Sequence, residues 1–233
     1  MRETVIFGNI YFKRCYIVKF ALSPKGFIFA VLFISVLSGL PEYGLCQAQR
    51  YMGEAYFEST MDEYQMGNYE AAVRGFKRFI EFAPHDFNGH YLLAHSFRFL
   101  GDYDSALKYY EKALVIRPRD YDAHIYAGVL YKRKGEYERA VCHFEQALAI
   151  IPNDCETLVH IGNVYFAKKD YDGAVRQYRK ALDAEPENAG ALRNMGKALR
   201  EKGDKEQAKV YYEKAEAVEL KRKNSEVSSQ NPE

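Results

Sequence analysis

The chain has 233 residues, 48% of them hydrophobic and 28% charged, with a formal net charge of +1. These are the proportions of an ordinary globular protein with room for one or two domains. The near-balance of charge argues against a general nucleic-acid binder, which carries a basic excess, and four cysteines at this length do not make a disulfide scaffold.

Residues 1–48 differ from the rest. Arg2, Lys13, Arg14, Lys19 and Lys25 stand against Glu3, and an uncharged run of fourteen residues follows, Phe27 to Leu40. As a helix this run would span roughly 21 Å at ~1.5 Å per residue, short of a hydrocarbon core of ~30 Å. A basic flank, a short apolar run and a small-residue site at Cys46-Gln47-Ala48 follow the order of a secretory signal peptide cleaved after Ala48. The alternative is an uncleaved N-terminal membrane anchor through residues 27–40. Leu45 stands before Cys46, where a lipoprotein site needs a small residue, so lipidation is not expected. Export would place a mature chain starting near Gln49 in a periplasm or outside the cell. Losing five basic and two acidic residues would bring its net charge to −2.

From Gly53 onward the sequence repeats every 34 residues. Pro84, Pro118, Pro152 and Pro186 share one position. Ala72, Ala106, Ala140, Ala174 and Ala208 share another. Phe76, Tyr110, Phe144, Tyr178 and Tyr212 fall four later, and Phe79, Ala113, Ala147, Ala181 and Ala215 three beyond those. The earlier half of each period carries Leu93-Ala94, Ala127-Gly128, Ile161-Gly162 and Met195-Gly196. Each period holds two runs with apolar residues at i, i+3, i+4 and i+7, which predicts two amphipathic helices. Gly67, Gly101, Gly135 and Gly203 lie between the runs, where a left-handed residue lets the chain leave the first helix; Lys169 is the exception. Asn68, Asp102, Glu136, Asp170 and Asp204 stand at the start of the second helix. The prolines stop that helix, and Asp86, Asp120, Asp154 and Asn188 are placed to cap the next one.

This period and pattern resemble the tetratricopeptide repeat. The resemblance implies an all-α fold, an α-solenoid of about five helix-turn-helix repeats wound as a right-handed superhelix. The repeats fall at 53–86, 87–120, 121–154, 155–188 and 189–222, within a domain of residues 49–222. The end repeats depart from the pattern: the first has Thr60 where others have Ala or Gly, Glu63 where others have an aromatic or Leu, and Phe79 for Ala. The fifth has Lys205 for Tyr and Leu220 for Pro. Residues 223–233 contain one apolar residue and are expected as a disordered polar tail.

Two helices per period leave little chain for chemistry. There is no Gly-rich phosphate loop, no G-x-S-x-G and no H-E-x-x-H, so no catalytic residue, metal ligand or cofactor is assigned and no enzyme activity is expected. His90 and His124, at equivalent positions, read as packing residues. Cys142 and Cys155 stand too far apart along antiparallel helices for a disulfide and are expected as free thiols.

The resemblance further implies protein or peptide partners held on the first helix of each repeat. The expected groove residues are Phe57, Met61, Tyr64, Tyr91, His95 and Arg98 in the first two repeats. Ile125, Val129 and Lys132 follow in the third, and Arg193, Lys197 and Arg200 in the fifth. One end is aromatic and the other basic, which suits a segment with an apolar anchor toward Phe57 and acidic residues toward Arg200. Some family members clamp a terminal carboxylate with Lys and Asn four apart on one helix. Here Val159 precedes Asn163 where that Lys would stand, and the clamp is not matched. The expected role is a protein-binding scaffold in an envelope or periplasmic assembly, with a membrane-anchored adaptor or a self-associating repeat protein as alternatives.

Overall fold

A computed structural model describes residues 41–230; the basic flank and the apolar run 27–40 lie outside the described residues. Among the described residues ten helices follow one another in pairs: α1 (Pro41–Gln65) with α2 (Tyr69–Phe82), α3 (Phe87–Phe99) with α4 (Tyr103–Ile116), and α5 (Tyr121–Arg133) with α6 (Tyr137–Ile150). Then come α7 (Cys155–Ala167) with α8 (Tyr171–Ala184) and α9 (Ala189–Lys202) with α10 (Lys205–Gln230). The helices divide into two units, one ending at Ile116 and the other starting at Arg117.

The caps follow the sequence closely at the first helix of each pair. Asp86, Asp120, Asp154 and Asn188 accept from the backbone N–H of Gly89, Ala123, Thr157 and Ala191. The second helices are less uniform. Asp102, Asp170 and Asp204 accept from Ser105, Gly173 and Gln207, but Asn68 and Glu136 make no side-chain cap. Asn68 instead donates to Glu63, and Glu136 pairs with Arg139 and Lys134. The turn residues Gly67, Gly101, Gly135 and Gly203 all have positive φ, and Lys169 adopts the same conformation at φ 62°.

Within each pair a small residue lies under a ring. A Cβ on Gly128 would stand 2.7 Å from the Phe144 ring, and one on Gly196 would stand 2.8 Å from the Tyr212 ring. The first repeat breaks this rule twice and compensates twice. Thr60 is buried, and it meets Gly75, whose added Cβ would clash with it. Phe79 replaces the usual alanine, and Gly89 opposes it: a Cβ there would lie 2.7 Å from the Phe79 ring. The extra volume of one side chain is taken out of its neighbour, which keeps the packing dense.

The two ends carry polar faces. Val73, Leu107, Val141 and Val175 share a register position, as do Ile80, Leu114, Leu148 and Leu182. In the second unit α9 covers Val175 and Leu182. At these positions α10 has Lys209 and Glu216, both exposed. On α1, Ser59, Asp62 and Glu63 stand where α9 has Met195, Ala198 and Leu199. Terminal repeats with a polar outer face keep an array soluble.

The last helix departs from the expected tail. Without a proline at Leu220, nothing in the backbone stops α10, and it runs on to Gln230 through residues expected to lack structure. At the other end Pro41, at a helix start where its missing N–H costs nothing, opens α1. Cleavage after Ala48 would shorten α1 without touching the repeat. Among the described residues no helix is long and apolar enough to cross a membrane.

Candidate functional site

In the first unit, Phe57, Met61 and Tyr64 lie along α1, and Tyr91, His95 and Arg98 along α3. All six are half-buried rather than fully exposed, because their rings lean on one another. Phe57 packs 4.9 Å from Phe79 and 5.9 Å from Phe76, centroid to centroid. The Tyr64 hydroxyl donates to Nδ1 of His95 at 2.9 Å, and His95 lies 5.3 Å from Tyr91 and 5.6 Å from Phe99. Tyr69 stacks on Phe99 at 4.4 Å, and the Arg98 guanidinium sits over the same ring at 4.4 Å. Burial, with Arg98 beside it, holds the His95 imidazole down at about 4. His95 is therefore a neutral acceptor, with Nδ1 committed to Tyr64.

Phe99 completes this surface and is not among the residues expected from the spacing. A signal for it is present in the sequence: Arg133, Ala167 and Glu201 occupy its register position, so a large ring there is anomalous.

Between α1, α2 and α3 an open pocket of about 200 Å³ is lined by Glu54, Phe57, Glu58, Phe79, Asp86 and Asn88. The expected apolar end thus carries carboxylates around its rings.

In the second unit, Ile125, Val129 and Lys132 are half-buried on α5. Burial lowers the Lys132 ammonium, and Arg133 pushes in the same direction. Arg193, Lys197 and Arg200 are exposed on α9 and border a pocket of about 250 Å³ with Tyr212, Ala215 and Glu216 of α10. Their charge is less bare than the sequence suggests. Arg193 pairs with Glu219, and Arg200 lies 3.2 Å from Glu201. The two pockets share two register positions, Arg193 and Ala215 being the fifth-repeat equivalents of Phe57 and Phe79, and the rest of their linings differ.

Asn163 and Asn194 have a structural use. The Tyr178 hydroxyl donates to Asn163 Oδ1 at 2.7 Å, and Asn194 Nδ2 donates to the same oxygen at 3.2 Å. The pair ties α7, α8 and α9 together. The histidines expected as packing residues also make specific hydrogen bonds. Nε2–H of His90 donates to the Pro84 carbonyl at 2.9 Å, and that of His124 to the Pro118 carbonyl at 3.1 Å. Each latches the start of a first helix to the proline that ended the previous one. His124 Nδ1 is thereby left to accept from His143 Nδ1–H, 3.1 Å away.

Cys142 is exposed and Cys155 buried, both free, and among the described residues no three His, Cys, Asp or Glu gather as a metal site.

Tetratricopeptide repeat profiles match residues 91–154 and 189–224, and a TPR repeat profile matches 162–203. The chain belongs to the tetratricopeptide repeat family. Among solved structures it is similar to MamA from Desulfovibrio magneticus RS-1, residues 41 to the end, with 22% identity over 72% of this chain and 96% of that one and a TM-score of 0.68. A further crystal structure of MamA has 21% identity, covers 71% of this chain and 96% of its own, and gives a TM-score of 0.67. YrrB, described as a TPR protein with an unusual peptide-binding site, has 18% identity over 76% and 91% of the two chains and a TM-score of 0.61. At these identities the likeness is one of fold. No curated protein matches the chain in sequence.

Proposed function

We propose that this tetratricopeptide repeat protein is a scaffold that binds segments of partner proteins on the first helices of its repeats. The observation that carries this reading is the cluster of partly exposed rings in the first unit: Phe57 and Tyr64 both rest on buried Phe76, Tyr64 meets His95 and Phe99, and a pocket opens beside Phe57. A solvated helix face has no need of so many partly exposed rings in contact, and exposed apolar surface of this kind marks an interaction site. The basic row Arg193, Lys197 and Arg200 gives the second unit its own charged face. Binding there weakens with salt, because screened charges attract less.

The N-terminal sequence supports export, into a periplasm or outside the cell, with residues 27–40 as a membrane anchor if they are retained. N-terminal sequencing of the protein from its native host decides this: a start near Gln49 supports cleavage, an intact chain in the membrane fraction supports the anchor, and an intact chain in the soluble cytoplasm refutes both.

The binding reading is tested with a partner co-purified from the native extract. Tyr91→Ala and Arg193→Ala/Lys197→Ala are compared with Lys180→Ala, at an exposed position on the second helix of its pair. The groove variants are expected to weaken binding about tenfold, the scale of one lost buried anchor or charge pair. Affinities within twofold of the control would place the partner elsewhere.

A further inference from the structure

The first-repeat pocket has a floor and a rim of different chemistry. The floor is Phe57 and Phe79, their rings tilted at 56°. Phe79 stands where the other four repeats have alanine, so this floor belongs to the first repeat alone. The rim is Glu54, Glu58, Asp86 and Asn88, and among the described residues no lysine or arginine lines it. Arg50 reaches Glu54 at 3.0 Å, on the exposed side of α1. Asp86 accepts from the Gly89 N–H as a helix cap. Two or more carboxylates therefore stand around the half-buried Phe57 ring, with Phe79 buried beside it.

An aliphatic anchor in this pocket would strip water from the carboxylates and give nothing back. A cation with an apolar stem satisfies both parts, since it lies on the ring faces and its head meets the rim. The chain uses the same pairing on its own surface: Arg98 lies over Phe99, and Arg139 lies 4.1 Å from the Tyr131 ring centroid. We propose that the first-repeat pocket receives an arginine or lysine side chain of a partner segment, its stem on Phe57 and Phe79 and its charged head among Glu54, Glu58 and Asp86. This rests on the protein-binding reading above and changes its chemistry: the anchor at this end is basic rather than purely apolar. Arginine is favoured over lysine because its planar head stacks on a ring and forks onto carboxylates. The fifth-repeat pocket, with Arg193 in place of Phe57, has the opposite sign and selects against the same side chain.

The test uses the full chain and three fluorophore-labelled dodecapeptides of Ala, Ser and Leu, identical except for Arg, norleucine or Glu at one central position. Binding is read by fluorescence anisotropy. The Arg peptide is expected to bind about tenfold tighter than the norleucine peptide, the scale of a charge-assisted contact. Glu54→Gln/Glu58→Gln, at two exposed positions, should abolish that preference with an unchanged melting temperature. Phe57→Ala should weaken the Arg peptide, and Lys180→Ala, at an exposed position outside the groove, should leave it unaffected. Equal affinity for the Arg and norleucine peptides overturns the proposal, as does a preference that survives Glu54→Gln/Glu58→Gln. If peptides bind without an Arg preference and Tyr91→Ala weakens them, the pocket assignment fails while the scaffold reading stands. Absence of binding by all three overturns the pocket, and the native-partner measurement then decides the scaffold reading by itself.

Discussion

Gly162 and Tyr178 set how closely α7 and α8 approach: a Cβ on Gly162 would stand 2.4 Å from the Tyr178 ring. The ring has no room to retreat, because Tyr178 is 1% exposed and its hydroxyl is held by Asn163. Gly162→Ala should therefore destabilise the second unit by roughly 1–3 kcal/mol through overpacking, even though alanine is the better helix former. Ala140→Leu, at a fully buried position, should behave the same way. Urea denaturation against the exposed control Lys180→Gln checks both. A midpoint unchanged from wild type in either variant would refute this helix-contact assignment.

Lys169 sits in the left-handed region at the turn where four other repeats use glycine. A side chain in that conformation costs roughly 1–2 kcal/mol. Replacing it by glycine relieves that strain but loosens the unfolded chain, which offsets about 0.4–1 kcal/mol. Lys169→Gly should thus stabilise by about 0.5 kcal/mol. The reciprocal Gly135→Lys should destabilise, since φ there is 77° although space around the position is open. Differential calorimetry on the two variants should show shifts of opposite sign; shifts of the same sign would contradict the backbone account.

His95 makes part of the stability pH-dependent. Its value falls from 6.5 to about 4 in the folded chain, from burial first and Arg98 second. Between those limits the unfolded chain binds the proton and the folded chain does not, so stability is full above about 6.5 and declines as the pH falls toward 4. His160 is lowered too, also by burial, and adds to the same trend. Protonation at Nδ1 would also displace the Tyr64 hydroxyl. His95→Gln can still accept from Tyr64 and carries no proton of its own to gain. Its urea midpoint should drop less than that of wild type between about pH 7.5 and about pH 5, a window that spans the unfolded value. Parallel drops would show that His95 does not contribute.

The polar ends give a fourth prediction. Lys209→Val/Glu216→Leu restores on α10 the apolar pair that α8 presents to α9, but with no helix to cover it. The variant should self-associate, and its average mass by light scattering should rise with concentration above that of wild type. Masses that coincide at all concentrations would mean that α10 is not capped by these two residues.

Much of the fold is legible because each local rule repeats at one position. The four capping residues Asp86, Asp120, Asp154 and Asn188, the positive-φ turn glycines and the small-residue-under-ring contacts are all where the 34-residue period puts them. What the period cannot show is how two departures cancel. Thr60 and Phe79 read as anomalies on their own, and only contact reveals Gly75 and Gly89 as their counterparts. The site is legible as a set of positions but not in its character. Helical spacing places Phe57, Tyr64, Tyr91 and His95 on facing helices. Their mutual stacking, the Tyr64–His95 bond and the carboxylate rim of Glu54, Glu58 and Asp86 depend on side chains brought from separate helices. Composition alone misjudges the extent of α10, because a helix already nucleated and packed through Tyr212 and Ala215 continues into polar residues that would not start one.

The charged faces at the two ends also bear on how such a chain changes its length over generations. A repeat copied from α9–α10 and added after Gln230 would press Lys209 and Glu216 against a new first helix, burying charge without a partner. A repeat copied from α7–α8 and inserted beside its parent would meet Val175 and Leu182 on one side and Met195 and Leu199 on the other, surfaces already made for each other. Lengthening from within leaves both outer faces where they are.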